Sequence, residues 1–274
     1  MDGLLWRKGC GFVRANDFEV KVLGLRLFML SARMVANNWQ AALQIVVLPF
    51  SLVVISAIAL GLVTGVDVAS IWAGNINAEN TDGPVLVALS LFGLAYAVMC
   101  TWIAVYWHRY ILLEELPKGF VYQVDWTAIW AYLVKGFVLS MMTLIPVLIL
   151  VVLITVVLAG AGSSTDFLGP IAGVVVLVLF MRSFIVLPGL AIGRKMTLRE
   201  GWQAGAGHMP AFVLIAVIEL LIGKANEAIP TSLVPAVPLI GFVLSLVLGI
   251  CLLLISVSVL TTLYGYFVEK RAIP

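Results

Sequence analysis

Six long apolar runs alternate with short polar stretches along this chain of 274 residues. An α-helix rises about 1.5 Å per residue, so about 20 apolar residues cross the roughly 30 Å hydrocarbon core of a bilayer. The runs therefore predict an all-α polytopic membrane bundle of six transmembrane helices in three hairpins. The predicted spans are residues 41–64, 84–107, 128–159, 167–192, 209–223 and 239–267.

The third and fifth spans depart from this simple pattern. The third carries Pro146, which predicts a tilt or a kink. The fifth is short and includes Glu219. It crosses the membrane if its helix begins near Ala204 and bends at Pro210. Otherwise it is a re-entrant element, and the stretch with Pro230, Pro235 and Pro238 belongs to the same buried excursion.

The segment before the first span is amphipathic. Between residues 17 and 39, apolar side chains recur at helical spacing, whereas Lys21, Arg26 and Arg33 lie off the apolar stripe. This pattern predicts a helix in the plane of the membrane, with its basic side chains toward anionic headgroups. We expect a cytoplasmic amphipathic segment at 1–40 and one six-helix transmembrane domain at 41–274. The stripe comprises Val20, Leu23, Leu27, Leu30 and Met34.

Lysine and arginine are concentrated in alternate loops. They occupy the N-terminal segment, the loops at 109–125 and 194–208 and the C-terminal tail, whereas the intervening loops hold only Lys224. Basic loops stay on the cytoplasmic side of a membrane. Both termini are therefore predicted to be cytoplasmic, and the polar stretch at 75–82 to face outward.

The composition narrows the class of protein further. The chain is 63% hydrophobic and 11% charged, with a mean hydropathy of +1.15, and these values exclude a soluble globular domain. Its net charge of +2 is too small to indicate a nucleic-acid partner. The expected partners are membrane lipids and proteins of a membrane complex.

Ionisable residues inside the spans are the main candidates for function, because each costs about 2.5–3.5 kcal/mol at the centre of a helix. They are Lys135, Arg182 and Glu219. The predicted end of the fifth span places Glu219 only about 6 Å from the membrane boundary. These residues either anchor the helices or line a path for a substrate or an ion.

Arg182 has candidate partners at the cytoplasmic end of the second span. We expect it to pair with Glu114 or Glu115 and to form a polar cluster with His108 and Arg109. Such a pairing would lock two hairpins together.

The sequence carries no recognisable catalytic or metal-binding motif. Cys10, Cys100 and Cys251 stand alone, without histidines at ligand spacing. We therefore expect a protein that is not an enzyme and that uses no metal and no cofactor.

Two stretches carry a resemblance to a known family. Residues 182–193 (RSFIVLPGLAIG) contain an Arg and a Leu-Pro at the end of a span, and residues 197–202 (TLREGW) contain a Glu-x-Trp helix before the next span. This pattern resembles bacterial six-helix membrane proteins related to the membrane domain of glycerophosphoryl diester phosphodiesterases. Residues 32–39 (ARMVANNW) are similar to the family's lead-in to its first span. The resemblance implies a six-helix fold in the bacterial inner membrane, without the family's separate catalytic domain.

Two functions fit these observations. The first is a non-catalytic scaffold, assembly or accessory component that organises lipids or partner proteins. The alternative is a transporter or channel-like protein for a lipid or small solute, which proline-interrupted spans would suit. A polar cavity lined by Arg182, Lys135 or Glu219 would favour the alternative.

Overall fold

The computed structural model of the protein describes residues 17–65, 83–115, 119, 124–160, 164–233 and 238–273. Cys10, Lys118, Pro235 and the polar stretch at 75–82 lie outside the described residues. The regular structure of the described residues is helical. Its helices are α1 (Asp17–Asn37), α2 (Trp39–Thr64), α3 (Gly83–Leu113), α4 (Trp126–Gly160), α5 (Leu168–Phe184), α6 (Leu187–Ala191), α7 (Leu198–Ala204), α8 (Met209–Leu233) and α9 (Pro238–Phe267).

Six stretches of these helices are long and apolar enough to cross a membrane. They lie in α2, α3, α4, α8 and α9, and in α5 together with α6. The predicted all-α polytopic bundle with six spans is therefore confirmed.

The predicted hairpins are packed helix pairs: α2 with α3, α4 with α5, and α8 with α9. Further contacts join α3 to α4, α5 to α8, and α9 to α3, so five helices close a circuit, and α2 packs on α3. The short helix α6 packs on α3, α4 and α9 and thereby ties these three together.

The core is concentrated at one end of the bundle. We call this the basic end, because α3 and α9 finish there beside Arg109 and Arg271, and α8 begins there. Its fully buried side chains include Trp107, Phe212, Tyr264 and Phe267. At the opposite end of α2, by contrast, the side chains of Leu62 and Val63 are 82% and 83% exposed. The helices are thus tightly packed at the basic end, and α2 leaves the core toward the other end.

The fifth span is a continuous helix that is long and apolar enough to cross a membrane, and it begins at Met209 rather than near Ala204. Helix α8 runs for 25 residues from Met209 to Leu233, about 37 Å at 1.5 Å per residue. Pro210 lies in its first turn, where the missing N–H would have no intrahelical partner in any case. The predicted end at Gly223 was too early, because the polar residues that follow it belong to the same helix.

The fourth span comprises α5 and α6 together, Leu168–Ala191, in agreement with the predicted span at 167–192. Helix α5 ends at Phe184, residues 185 and 186 form a turn, and α6 begins at Leu187. Pro188 follows the turn and has no N–H to donate to the carbonyl of Phe184. The turn lets α6 pack on α3, α4 and α9.

Helix α1 packs against the bundle along its apolar stripe. Leu23, Leu27, Leu30 and Met34 are buried, and α1 contacts α8 and α9. At Gly24 the two backbones approach so closely that an added Cβ would lie 2.8 Å from the carbonyl oxygen of Ala211. Protein contacts therefore cover these four side chains of the stripe, which the sequence assigned to the membrane surface.

Candidate functional site

A buried histidine joins three helices at the basic end. His108 of α3 is fully buried. Its Nδ1 lies 2.8 Å from the hydroxyl oxygen of Thr261 on α9, and its Nε2 lies 3.0 Å from that of Tyr132 on α4. Both ring nitrogens are therefore engaged with side chains of neighbouring helices.

The hydrogen-bond pattern indicates which ring nitrogen of His108 carries the hydrogen. The Thr261 hydroxyl donates to the backbone carbonyl of Val257 at 2.9 Å, so it accepts from Nδ1–H of His108. Nε2 of His108 then accepts from the Tyr132 hydroxyl. A neutral imidazole satisfies every group in this chain of hydrogen bonds, which suits a buried position.

Two further bonds extend the network along α9. Trp107 donates from Nε1 to Ser258 at 2.7 Å, and the Thr262 and Ser31 hydroxyls are hydrogen-bonded at 2.8 Å. Sequence reasoning missed these α9 residues. Their signal was a polar stripe at positions 258, 261 and 262, spaced i, i+3 and i+4 on one face of an apolar helix.

Helix α7 is fixed by a capping box. The Thr197 hydroxyl accepts a hydrogen bond from the backbone N–H of Glu200 at 3.3 Å, and the Glu200 carboxylate accepts one from the backbone N–H of Thr197 at 2.8 Å. These bonds hold the pKa of Glu200 below its ordinary value. The box sets where α7 begins and thereby positions Trp202.

Arg182 is bound to α7 and to the start of α8. Its guanidinium lies over the Trp202 ring, 4.2 Å from the ring centre, and donates to the Trp202 carbonyl at 2.8 Å. A further contact of 3.2 Å reaches the sulfur of Met209. The Nε atom of Arg182 is buried and has no hydrogen-bond partner among the described residues.

The expected pairing of Arg182 with Glu114 or Glu115 is wrong. Glu115 pairs with Arg109 at 2.7 Å, and Asp125 lies 3.8 Å from the same arginine. Glu114 is exposed, with a positive φ of 59° just after α3 ends. The predicted cluster is therefore not formed: Arg182 contacts α7 and the start of α8, whereas Arg109 and Glu115 pair at the end of α3. His108 is hydrogen-bonded to α4 and α9 instead.

The C-terminal tail adds contacts that sequence reasoning did not anticipate. Glu269 accepts from Arg194 at 3.0 Å and from Nε of Arg271 at 2.6 Å. Arg271 also donates to the backbone carbonyl of Leu112 at 3.4 Å. The Glu269 side chain is buried, so the tail is held against the loop after α6 and the end of α3.

The remaining intramembrane charges, Lys135 and Glu219, lie on α4 and α8. Lys135 is half-buried on α4, nine residues after Trp126. Glu219 lies ten residues after the start of α8, about 15 Å along the helix, and the helix continues for fourteen more residues. Within the candidate span Met209–Ala228, Glu219 is nine residues, about 13 Å, from the far end. The expected distance of about 6 Å from Glu219 to the membrane boundary stays a prediction.

A cavity of about 310 Å³ lies beside Glu219. The Ser256 hydroxyl hydrogen-bonds to the Glu219 carboxyl group, whereas the Oε1 atom of Glu219 is buried without a partner among the described residues. Lys224 and Glu227, which form an ion pair at 2.7 Å, also line the cavity and are exposed. Its apolar walls comprise Phe28, Leu177, Leu220, Ile222, Leu252 and Ile255.

The six spans and the polar contacts between them define the class: the chain is a multi-pass integral membrane protein with an all-α fold. Within the described ranges, no group of three His, Cys, Asp or Glu residues is placed to hold a metal ion. Comparisons with protein-family models, curated proteins and solved structures find no match to the chain. The family resemblance drawn from the 182–202 region therefore stays a prediction.

Proposed function

We propose that the protein is a non-catalytic scaffold, assembly or accessory component of a membrane, which organises lipids or partner proteins. The observation that carries this proposal is the network around His108, where buried polar groups of α3, α4 and α9 bond to one another. Satisfied groups of this kind hold helices in one arrangement. A bundle fixed at its basic end presents constant surfaces to its surroundings, as a platform requires.

Helix α4 supplies one of these surfaces. It is a continuous helix of 35 residues through Pro146, about 52 Å long, and exceeds the thickness of the hydrocarbon core. Leu148, Val156 and Val157 on its second half are 64%, 65% and 70% exposed. A helix of this length must tilt, thicken the bilayer around it or associate with neighbouring helices. Each of these responses organises its surroundings.

Helix α1 favours an additional role for lipids. Its apolar side is buried against α8 and α9, whereas Arg26 and Arg33 are exposed. Exposed basic side chains beside a membrane attract anionic headgroups, at about 1 kcal/mol for each residue. We infer that these arginines hold anionic lipids around the basic end.

Photo-crosslinking in native membranes tests whether α4 contacts a partner protein. A photoreactive amino acid at Val156 of α4 is expected to give one protein adduct of defined mass. The same probe at Leu62 of α2, which is also exposed and apolar, is the matched control and is expected to give only lipid adducts. Equal lipid-only labelling at both positions would contradict a partner on α4.

Native mass spectrometry of the detergent-extracted protein tests whether Arg26 and Arg33 bind anionic lipids. Anionic lipids are expected to remain bound to the parent protein, and the double variant Arg26→Gln and Arg33→Gln is expected to lose them. If the parent retains no lipids and Val156 has no protein adduct, the scaffold proposal fails.

A transporter of a lipid or small solute is the second candidate, because Glu219 lies near the middle of the candidate span Met209–Ala228 and lines a cavity. Charged groups at this depth are expensive and occur on the paths of substrates and ions. Proteoliposomes with the purified protein would be assayed for transbilayer movement of fluorescent lipids and for solute uptake. Activity that Glu219→Gln removes would support this candidate, whereas inactive liposomes would count against it.

A further inference from the structure

The cavity beside Glu219 combines apolar walls with one deeply placed carboxyl group. Leu252 and Ile255 of α9, Leu220 of α8 and Phe28 of α1 line it. Its volume of about 310 Å³ is at the lower end of the range for small-molecule sites. A ligand of this site must therefore be small and largely apolar.

The Glu219 carboxyl group is incompletely bonded. Ser256 supplies a hydrogen bond, but Oε1 is buried and lacks a donor within the described part of the chain. In its ionised form a buried carboxyl group accepts hydrogen bonds and cannot donate them. The group that would complete this form is a hydrogen-bond donor, and a cationic donor also balances its charge and keeps it ionised.

The nearby lysine does not supply this balance. Lys224 pairs with Glu227 at 2.7 Å, and both side chains are about two-thirds exposed, 69% and 67%. They stand five and eight residues beyond Glu219 on α8, about 7 and 12 Å along the helix. Their charges cancel at the open side of the cavity, and the net charge of the interior is that of Glu219.

We propose that this cavity binds a small hydrophobic amine, with its ammonium group on the Glu219 carboxylate and its apolar part against Leu220, Leu252 and Ile255. The ammonium N–H groups supply the missing donors, whereas a quaternary ammonium ion of the same charge has none to offer. The inference deepens the second candidate function by naming a ligand class, and binding is tested separately from movement across the membrane.

The probe is tritiated 4-phenylbutylamine, and the protein is the full chain in lipid nanodiscs. Equilibrium binding is expected to be saturable, at one amine per protein. Unlabelled 4-phenylbutanol and the N-trimethylated amine are expected to compete at least tenfold more weakly than unlabelled 4-phenylbutylamine. Equal competition by all three compounds, or binding that does not saturate, would overturn the proposal.

Two variants locate the binding in the cavity. Glu219→Gln is expected to weaken binding at least tenfold, and Leu252→Trp, which fills the cavity but keeps the carboxyl group, to abolish it. Glu114→Gln makes the same chemical change at an exposed position outside the cavity and is expected to bind within twofold of the parent. Binding by Leu252→Trp at parental affinity would refute the site even if Glu219→Gln proved unfolded. Binding without uptake into proteoliposomes would contradict the transporter and uphold the site.

Discussion

The guanidinium of Arg182 lies 4.2 Å from the centre of the Trp202 ring and donates a 2.8 Å hydrogen bond to the carbonyl of the same residue. Two contacts with one residue fix both the position and the orientation of the planar guanidinium. They join the end of α5 to α7 across the break at Pro188. Arg182 therefore positions the segment that leads into α8.

Replacing Arg182 should destabilise the protein. Arg182→Leu removes the ring contact and a charge-assisted hydrogen bond, and we expect the free energy of unfolding to fall by about 2 kcal/mol. Thermal melting in detergent measures the effect. Glu114→Gln should melt like the parent, because Glu114 is exposed and Arg182 does not contact it. An equal loss of stability in both variants would instead support an ion pair between Arg182 and Glu114.

The bond between His108 and Tyr132 should appear as an energetic coupling. Tyr132→Phe removes one hydrogen bond and should cost about 1 kcal/mol, whereas His108→Leu removes two and leaves the buried Tyr132 hydroxyl unpaired, so it should cost about 3 kcal/mol. In the double variant, Tyr132→Phe should cost little beyond the loss caused by His108→Leu, because the Tyr132 hydroxyl has already lost its partner. Equilibrium unfolding in mixed micelles completes this double-mutant cycle, and strictly additive losses would disprove the coupling.

The close approach of α1 to α8 should make Gly24 intolerant of a side chain. A Cβ at this position would lie 2.8 Å from the carbonyl oxygen and 3.0 Å from the Cα of Ala211, both backbone atoms. We expect Gly24→Ala to lower the free energy of unfolding by about 1–3 kcal/mol.

Gly93→Ala is the matched control for that change. Gly93 is also helical, but nothing lies within 4 Å of its added Cβ. Alanine favours a helix over glycine by roughly 0.5–1 kcal/mol, so this variant should be slightly stabilised. Melting temperatures that shift in the same direction for both variants would contradict the contact between α1 and α8.

The capping box of α7 should give a pH-dependent contribution to stability. Hydrogen bonds from Thr197 lower the pKa of Glu200 from its ordinary value of 4.5. The carboxylate therefore stabilises the folded protein fully above that value, and the contribution is lost as the pH falls through the lower folded-state pKa. Glu200→Gln should melt below the parent at pH 7, and the difference should shrink as the pH falls below 4.5. A difference independent of pH would exclude the carboxylate as its source.

Local hydropathy patterns predicted that the helices exist, but they predicted the ends of the helices less accurately. The predicted first and sixth spans agree with α2 and α9 within two residues. The end of α8 was predicted ten residues too early, because polar residues usually mark the end of a span. In α8 Lys224 and Glu227 pair with each other on the helix surface, and the helix continues.

The amino-acid sequence alone determined that this is a membrane protein with six spans and an amphipathic N-terminal helix. Hydropathy and helical periodicity are properties of neighbouring residues, so they can be read without knowing the fold. The tertiary structure decided which groups meet: His108 and Thr261 are 153 positions apart, and Arg182 contacts Trp202 twenty positions further along the chain. It also decided the surroundings of Glu219, since the walls of its cavity come from α1, α5, α8 and α9, and contacts between helices cannot be read from neighbouring residues.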